Sequence, residues 1–147
     1  MAILGFGSIA PAYAADGALL QSLVGTWKGK GKLVGAERGT TSCRLTFKAK
    51  GENVAYTGRC STGMGAQTFN GILAYNPATD TFESISKNGT ATGQVIDESV
   101  VFVVSAETEV GSATSQMSFS QGAITIDFSI LDEDAEQTTA HIPFARS

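Results

Sequence analysis

The sequence predicts an all-β protein that folds as one antiparallel up-and-down barrel of about ten strands. Turn signals and alternating apolar and polar residues recur about every ten residues between Leu23 and Arg146. No amphipathic segment of helical length interrupts this pattern. Consecutive strands that share one apolar face are most economically closed into a barrel, because closure removes exposed edges. A two-sheet sandwich is the main alternative.

The predicted strands are bounded by the residue types that turns favour, mainly Gly, Pro, Asn and Asp. They cover residues 23–33, 40–49, 54–61, 67–75, 80–87, 90–96, 99–107, 112–120, 123–131 and 135–146. Two-residue turns are predicted at 51–52, 88–89, 97–98, 109–110 and 121–122, and each determines a register. The resulting pairs are Phe82 with Val95, Val95 with Val100, Phe102 with Met117, and Phe119 with Ile124. Longer loops at 76–79 and 132–134 pair Leu73 with Phe82 and Ile126 with Ala140.

The only two cysteines, Cys43 and Cys60, lie at equal distances from Gly51-Glu52. A turn at these residues places the cysteines at a non-hydrogen-bonded pair, where side chains approach most closely. This register predicts a cross-strand disulfide, which closes a loop of about 18 residues and contributes about 3 kcal/mol by chain-entropy estimates. A disulfide indicates an oxidising compartment.

The first residues form an apolar run, MAILGFGSIAPAYAA, that ends in the small-residue pattern Ala12-Tyr13-Ala14. This pattern is typical of the back half of a secretory signal that is cleaved before Ala15. We therefore expect residues 1–14 to be a signal-peptide remnant and residues 15–147 to form a single barrel domain. No later apolar run reaches the roughly 18 residues of a transmembrane segment. The expected location is periplasmic or secreted, and an apolar N-terminal helix or strand is the alternative.

The alternation assigns one apolar face to the interior. Its members are Trp27, Leu45, Phe47, Tyr56, Phe69, Leu73, Phe82, Phe102, Met117, Ile126, Phe128, Ile142 and Phe144. Gly29, Gly31, Gly58 and Gly71 share this face, and we expect their missing side chains to leave space. The sequence leaves open whether the interior is a cavity or a filled core.

The stretch Leu23-Val24-Gly25-Thr26-Trp27-Lys28-Gly29-Lys30-Gly31 resembles the opening of calycin barrels, the superfamily of lipocalins and fatty-acid-binding proteins. In this fuller form it is similar to the nitrobindin branch and to related bacterial lipocalin-like families. The resemblance implies a closed base where an arginine near the chain end packs across the tryptophan. Arg146 lies near the chain end and shares the inward parity of the core residues, so we expect it to make that contact with Trp27. We assign this contact a structural role.

The resemblance and the inner face together predict non-enzymatic binding of a small apolar or anionic amphiphilic ligand inside the barrel. The candidate cavity residues are Trp27, Tyr56, Phe69, Phe102, Met117, Phe128 and Arg146. One histidine and no free thiol supply no nucleophile beside a base, so we assign no catalytic residue and expect no enzyme. We assign no metal site and no cofactor, because the chain lacks a spaced set of ligands.

Haem binding is one alternative, because nitrobindins hold haem through a histidine in a late strand. The single histidine, His141, lies in the last predicted strand. Its parity turns it outward, between the inward Ala140 and Ile142, unless Pro143 introduces a bulge.

Charge is distributed unevenly along the chain. Residues 15–60 carry eight basic and three acidic residues, a net charge of +5, whereas residues 61–147 carry two and eleven, a net charge of −9. The outward basic face consists of Lys28, Lys30, Lys32, Arg44, Lys48 and Arg59. Because like charges on neighbouring strands repel, docking of an acidic envelope partner on this face is a second alternative. We expect no nucleic-acid partner for an acidic chain that lacks aromatic stacking platforms.

A periplasmic protease inhibitor is the third alternative. Small bacterial metalloprotease inhibitors are disulfide-bearing calycin-like barrels that insert an N-terminal segment into the protease cleft. Residues 15–22 would supply that segment here, although this chain is longer and has two additional predicted strands.

Overall fold

The fold is described by a computed structural model that covers residues 17–147 except 64, 88, 109 and 110. A short helix, α1 (Gly17–Ser22), precedes the sheet. The strands are β1 (Gly25–Gly35), β2 (Gly39–Lys50), β3 (Asn53–Thr62), β4 (Gly65–Asn76), β5 (Thr81–Ser86), β6 (Gly89–Ile96), β7 (Ser99–Thr108), β8 (Gly111–Ser120), β9 (Ala123–Leu131) and β10 (Gln137–Arg146). Each strand pairs with the next, and β10 pairs with β1 to close the sheet. The predicted ten-stranded barrel is confirmed, and the sandwich alternative is wrong. The predicted signal segment, 1–14, lies outside the described residues.

Several tight turns produce the predicted registers. Cys43 lies opposite Cys60 with 4.1 Å between the Cα atoms, and the two form the predicted disulfide. The predicted pairs Val95–Val100, Phe102–Met117 and Phe119–Ile124 also form. At the β6–β7 turn, Asp97 and Glu98 adopt left-handed backbone conformations with φ of 48° and 69°. Positive φ at both central positions is the feature of the hairpin turn whose twist matches that of the strands.

Three predicted registers are wrong by two residues. Phe82 lies opposite Gly93 instead of Val95, Leu73 opposite Ser84 instead of Phe82, and Ile126 opposite Ile142 instead of Ala140. A shift by two keeps every side chain on its predicted face, so the apolar pattern does not detect it. Hydrogen bonds within the loops determine the register instead. Asp132 Oδ1 accepts hydrogen bonds from the backbone N–H groups of Asp134 and Glu136, and the loop therefore spans residues 132–136.

Helix α1 covers one end of the barrel, which we call the base. Leu19 and Leu20 of the helix, and Leu23 after it, are almost fully buried, and the helix lies against β3 and β4. The sequence pattern missed this helix because six residues are too few to display a helical period. Tertiary packing rather than intrinsic propensity stabilises so short a helix. The opposite end, where loops 36–38 and 132–136 lie, is the mouth.

Large buried side chains are concentrated in the half of the barrel next to the base. They include Trp27, Leu45, Phe47, Leu73, Phe82, Phe102, Phe119, Ile124 and Ile142. The Phe119 ring meets the rings of Phe47 and Phe102 edge to face, with centroid distances of 5.9 and 6.0 Å. Such contacts add to the stabilisation that burial provides. The base half is therefore a filled core.

Candidate functional site

The base is held together by contacts between Trp27 and Arg146. The Arg146 guanidinium lies 4.2 Å from the Trp27 ring centroid and donates hydrogen bonds of 2.7 Å to the carbonyls of Ser22 and Val24. Trp27 Nε1 donates a hydrogen bond of 2.8 Å to the carbonyl of Leu23. These contacts join β1, β10 and the end of α1. The filled core separates both residues from the mouth, so they do not line an open cavity as we expected.

The inward glycines do not leave open space. A Cβ atom added to Gly58 would lie 2.3 Å from the Phe69 ring, and one added to Gly71 would lie 2.6 Å from the Tyr56 hydroxyl. At Gly93 the Phe102 ring would be 2.7 Å away. The expectation that Gly29, Gly31, Gly58 and Gly71 open a cavity is therefore wrong. Aromatic side chains fill the volume over Gly58 and Gly71, and backbone carbonyls of β10 lie 2.7 and 2.4 Å from the Cβ positions of Gly29 and Gly31.

Four of the predicted cavity residues occupy inward positions near the middle of their strands. We call this set the floor; it consists of Tyr56, Phe69, Phe102 and Met117. Phe102 is buried, whereas the other three are partly buried and pack against the core. Phe128 is also partly buried and stands in the wall above, opposite Ser115. The floor divides the filled base half from the mouth half.

Above the floor, the inward side chains of β5–β9 are mostly small or partly exposed, whereas Leu33, Thr41, Thr138 and Ala140 on β1, β2 and β10 are buried. Those of β5–β9 include Ser84, Ala91, Val104, Ser115, Phe128 and Ile130. Val104 follows the parity of the buried Phe102 and lies opposite Ser115, yet it is 42% exposed. An inward valine with this exposure has open space in front of it. Most of these residues were not among the predicted cavity residues, because the prediction selected large apolar side chains.

Polar groups are also present in this part of the interior. Thr41 shares the inward parity of Cys43 and is fully buried, and its Oγ1 has no hydrogen-bond partner within the described part of the chain. The Tyr56 hydroxyl and Ser84 Oγ are hydrogen-bonded at 2.8 Å. A buried hydroxyl without a partner costs about 1–3 kcal/mol. Because Thr41 Oγ1 has no accessible surface, it does not line an open part of the interior.

The charges near the mouth are mainly negative. The exposed or half-exposed groups of its loops and strand ends are Glu37, Arg38, Lys87, Glu107, Asp132, Glu133, Asp134 and Glu136. Six of these eight are acidic. By contrast, the six residues of the basic face, from Lys28 to Arg59, are all exposed on the outside of β1–β3. The expected preference for an anionic amphiphile therefore loses its basis, since the basic side chains do not surround the mouth.

His141 lies on the outer face of the barrel. Its side chain is 64% exposed, and Nδ1 is 2.5 Å from Asp127 Oδ1 on the neighbouring strand. Pro143 pairs regularly with Thr125, so no bulge turns this strand. An outward histidine does not fit the role of an axial haem ligand inside the barrel. The haem alternative is therefore not supported by this site.

The segment assigned to protease inhibition is not free in this structure. Residues 17–22 form α1, and Leu19 and Leu20 are 1% and 2% exposed. Inserting this segment into a cleft would remove both leucines from the core. Within the described residues, no helix is long and apolar enough to cross a membrane, and no group of three His, Cys, Asp or Glu side chains could hold a metal ion.

Comparisons with known proteins reveal similarity of fold. No protein-family model and no curated protein matches the sequence. The S-type phycobiliprotein lyase CPES from Guillardia theta superposes with a TM-score of 0.58 and 9% identity, over 87% of this chain and 90% of that one. Rv2717c from M. tuberculosis superposes with a TM-score of 0.56 and 16% identity, over 95% and 99%. Both are lipocalin-like barrels, so the predicted calycin-type fold is supported, whereas the nitrobindin branch stays a prediction.

The prediction that the chain is not an enzyme is wrong, because this fold does not support it. A protein named as a lyase has the same type of barrel over most of its length. The single histidine and the absence of a free thiol exclude only nucleophilic catalysis by a serine or cysteine beside a base. That is one of several ways to catalyse a reaction. The barrel therefore does not identify a non-enzyme.

Proposed function

We propose that this chain binds a small apolar or amphipathic molecule in the mouth half of the barrel. The observation that carries the proposal is the change across the floor, from large buried side chains to small inward ones with an exposed Val104. Barrel mouths are common sites for such ligands. The similarity to lipocalin-like barrels supports the same kind of site.

The polar groups of the mouth half favour a ligand with one polar end. Phe128 and Ile130 supply apolar wall, whereas the hydroxyl pair Tyr56–Ser84 supplies hydrogen-bonding groups. Because most charged groups near the mouth are acidic, a neutral or cationic end suits the site better than an anionic one.

Two neighbouring valines provide a matched test. Val104 points inward and Val103 points outward, and both are exposed, at 42% and 57%. We expect the neutral fluorescent probe aminoanthracene to bind the unmodified protein in the micromolar range. Val104→Trp should weaken binding about tenfold or more by filling the space. Val103→Trp adds the same ring on the other face and should leave the dissociation constant unchanged.

A second probe tests the charge argument. ANS is an aromatic amphiphile with a negative charge, and it should bind more weakly than aminoanthracene, with a difference that shrinks as salt is added. Equal effects of the two tryptophan substitutions, or no binding of either probe, would remove the support for a site in the mouth half.

A further inference from the structure

We propose that the concave outer face of β1–β4 binds a segment of an acidic polysaccharide. A groove of about 620 Å³ crosses this face, and its cationic lining consists of Lys28, Lys30, Arg44 and Arg59. This volume lies within the range of about 300–1,000 Å³ that is usual for ligand sites. The groove lies on the outside of the wall and is independent of the site in the mouth half.

The strand register brings three of these cations into one row. Lys28 lies opposite Arg44, and Arg44 lies opposite Arg59 on the next strand. Among the described residues, no carboxylate lies within salt-bridge distance of a lysine or arginine, so none neutralises the row. Like charges directly opposite one another are destabilising in a sheet. A concave surface of one sign also concentrates the electrostatic potential, which favours an anionic ligand.

The other lining residues indicate the class of ligand. They contribute mainly hydroxyl and amide groups, from Ser42, Thr46, Thr57, Ser61, Thr68 and Asn70. The one aromatic residue, Phe69, turns its ring inward over Gly58. The groove thus offers no aromatic platform for nucleobases. The lining can bond both the carboxylates and the hydroxyls of an acidic sugar.

The shape and the charge spacing favour a polymer over a folded protein. Lys28 and Lys30 are two residues apart on β1, which separates them by about 7 Å along the strand. A flexible chain with repeated carboxylates can follow these positions inside a groove. The convex surface of a globular acidic protein fits a concave face less well.

The test compares two double substitutions that remove the same charge. Arg44→Gln with Arg59→Gln removes the centre of the row, whereas Lys48→Gln with Lys50→Gln removes two exposed cations of β2 outside the groove. We expect polygalacturonate to bind the unmodified chain, as measured by calorimetry, and neutral dextran not to bind. The arginine variant should weaken binding about tenfold and the lysine variant less than about twofold. The thermal midpoint of the arginine variant should not fall, because the substitution removes like-charge repulsion.

Several results would overturn the proposal. One is equal weakening by the two variants, which would indicate attraction by net charge without a site. Another is binding of polyphosphate, polyglutamate or anionic lipid vesicles as tightly as polygalacturonate, which would exclude selectivity for acidic sugars. Absence of polygalacturonate binding would also overturn it. Val104→Trp serves as an internal control, since it should leave polygalacturonate binding unchanged.

Discussion

The two halves of this barrel are built from the same strands but are filled differently. In the base half, Trp27, Phe82 and Phe119 are at most 2% exposed and belong to the same buried cluster as the two leucines of α1. In the mouth half, the positions that continue the same inward rows hold Ser84, Ser115 and Val104. The alternation of the strands is equally regular in both halves. The difference is one of side-chain volume.

This comparison indicates how one sheet can separate stability from binding. A small domain needs most of its apolar area buried in one place to offset the entropy of folding. Concentrating that area beside α1 leaves the other half free to carry small inward side chains. We therefore expect substitutions near the base to affect stability strongly, and substitutions near the mouth to affect it less.

The largest expected effect comes from Trp27→Ala. Removing a buried tryptophan should lower the free energy of unfolding by about 3–5 kcal/mol, measured by urea denaturation. Phe128→Ala, in the mouth half, should cost less than about 2 kcal/mol, since a partly exposed ring loses fewer contacts. Equal losses in the two variants would contradict the division of the barrel into a filled half and an open half.

Loss of the disulfide should have the next largest effect. Cys43→Ala with Cys60→Ala should lower stability by about 2–4 kcal/mol, because the unfolded chain gains the freedom that the bridge removes. Denaturation with and without reductant provides the same comparison in the unmodified chain. Thiol titration of the unfolded protein should detect no free thiol before reduction. Two reactive thiols at that stage would show that the bridge is not formed.

Gly58→Ala tests whether the floor is closed. The added methyl group must displace the Phe69 ring, so we expect a loss of about 1–3 kcal/mol in the free energy of unfolding. Gly63→Ala is the matched control. Its Cβ atom would meet no atom within 4 Å, and the change should stay within about 0.5 kcal/mol. A tolerated Gly58→Ala would indicate empty volume at the floor.

Arg146→Ala should produce the smallest loss of stability. The substitution removes the contact with the Trp27 ring and two hydrogen bonds to the end of α1, which together should contribute about 1–2 kcal/mol on this exposed side chain. The fluorescence of the single tryptophan should change as well, because its charged neighbour is lost. Arg146→Lys keeps the charge but not the planar pair of donors, and it should recover only part of the loss. Unchanged fluorescence in Arg146→Ala would argue against the stacked geometry.

The sequence predicts the strands of this fold better than it predicts the loops. Alternation identifies the inward face correctly because a one-residue slip would expose a whole apolar row. A two-residue slip leaves that row in place, which is why the predicted partners of Phe82, Leu73 and Ile126 were wrong. The deciding contacts, such as those of Asp132 with loop N–H groups, depend on loop geometry that the pattern does not contain.

The candidate site was less predictable than the fold. The sequence identifies Gly58 and Gly71 as inward, but not that the rings of neighbouring strands cover them. Most of the large side chains that it marks as cavity residues belong to the core or pack against it. The outward position of the basic face followed from parity alone.

The pairing of β1 with β10 makes the order of chain synthesis matter for this molecule. Trp27 lies opposite Arg146, and the Ser147 N–H donates to the carbonyl of Thr26, so the last strand completes the sheet. Until β10 arrives, both β1 and β9 present unpaired edges beside an uncovered apolar face. Such long-range closure is slow to form, and open edges are prone to aggregation. A nascent chain is therefore most vulnerable in the interval between the emergence of β9 and the docking of β10.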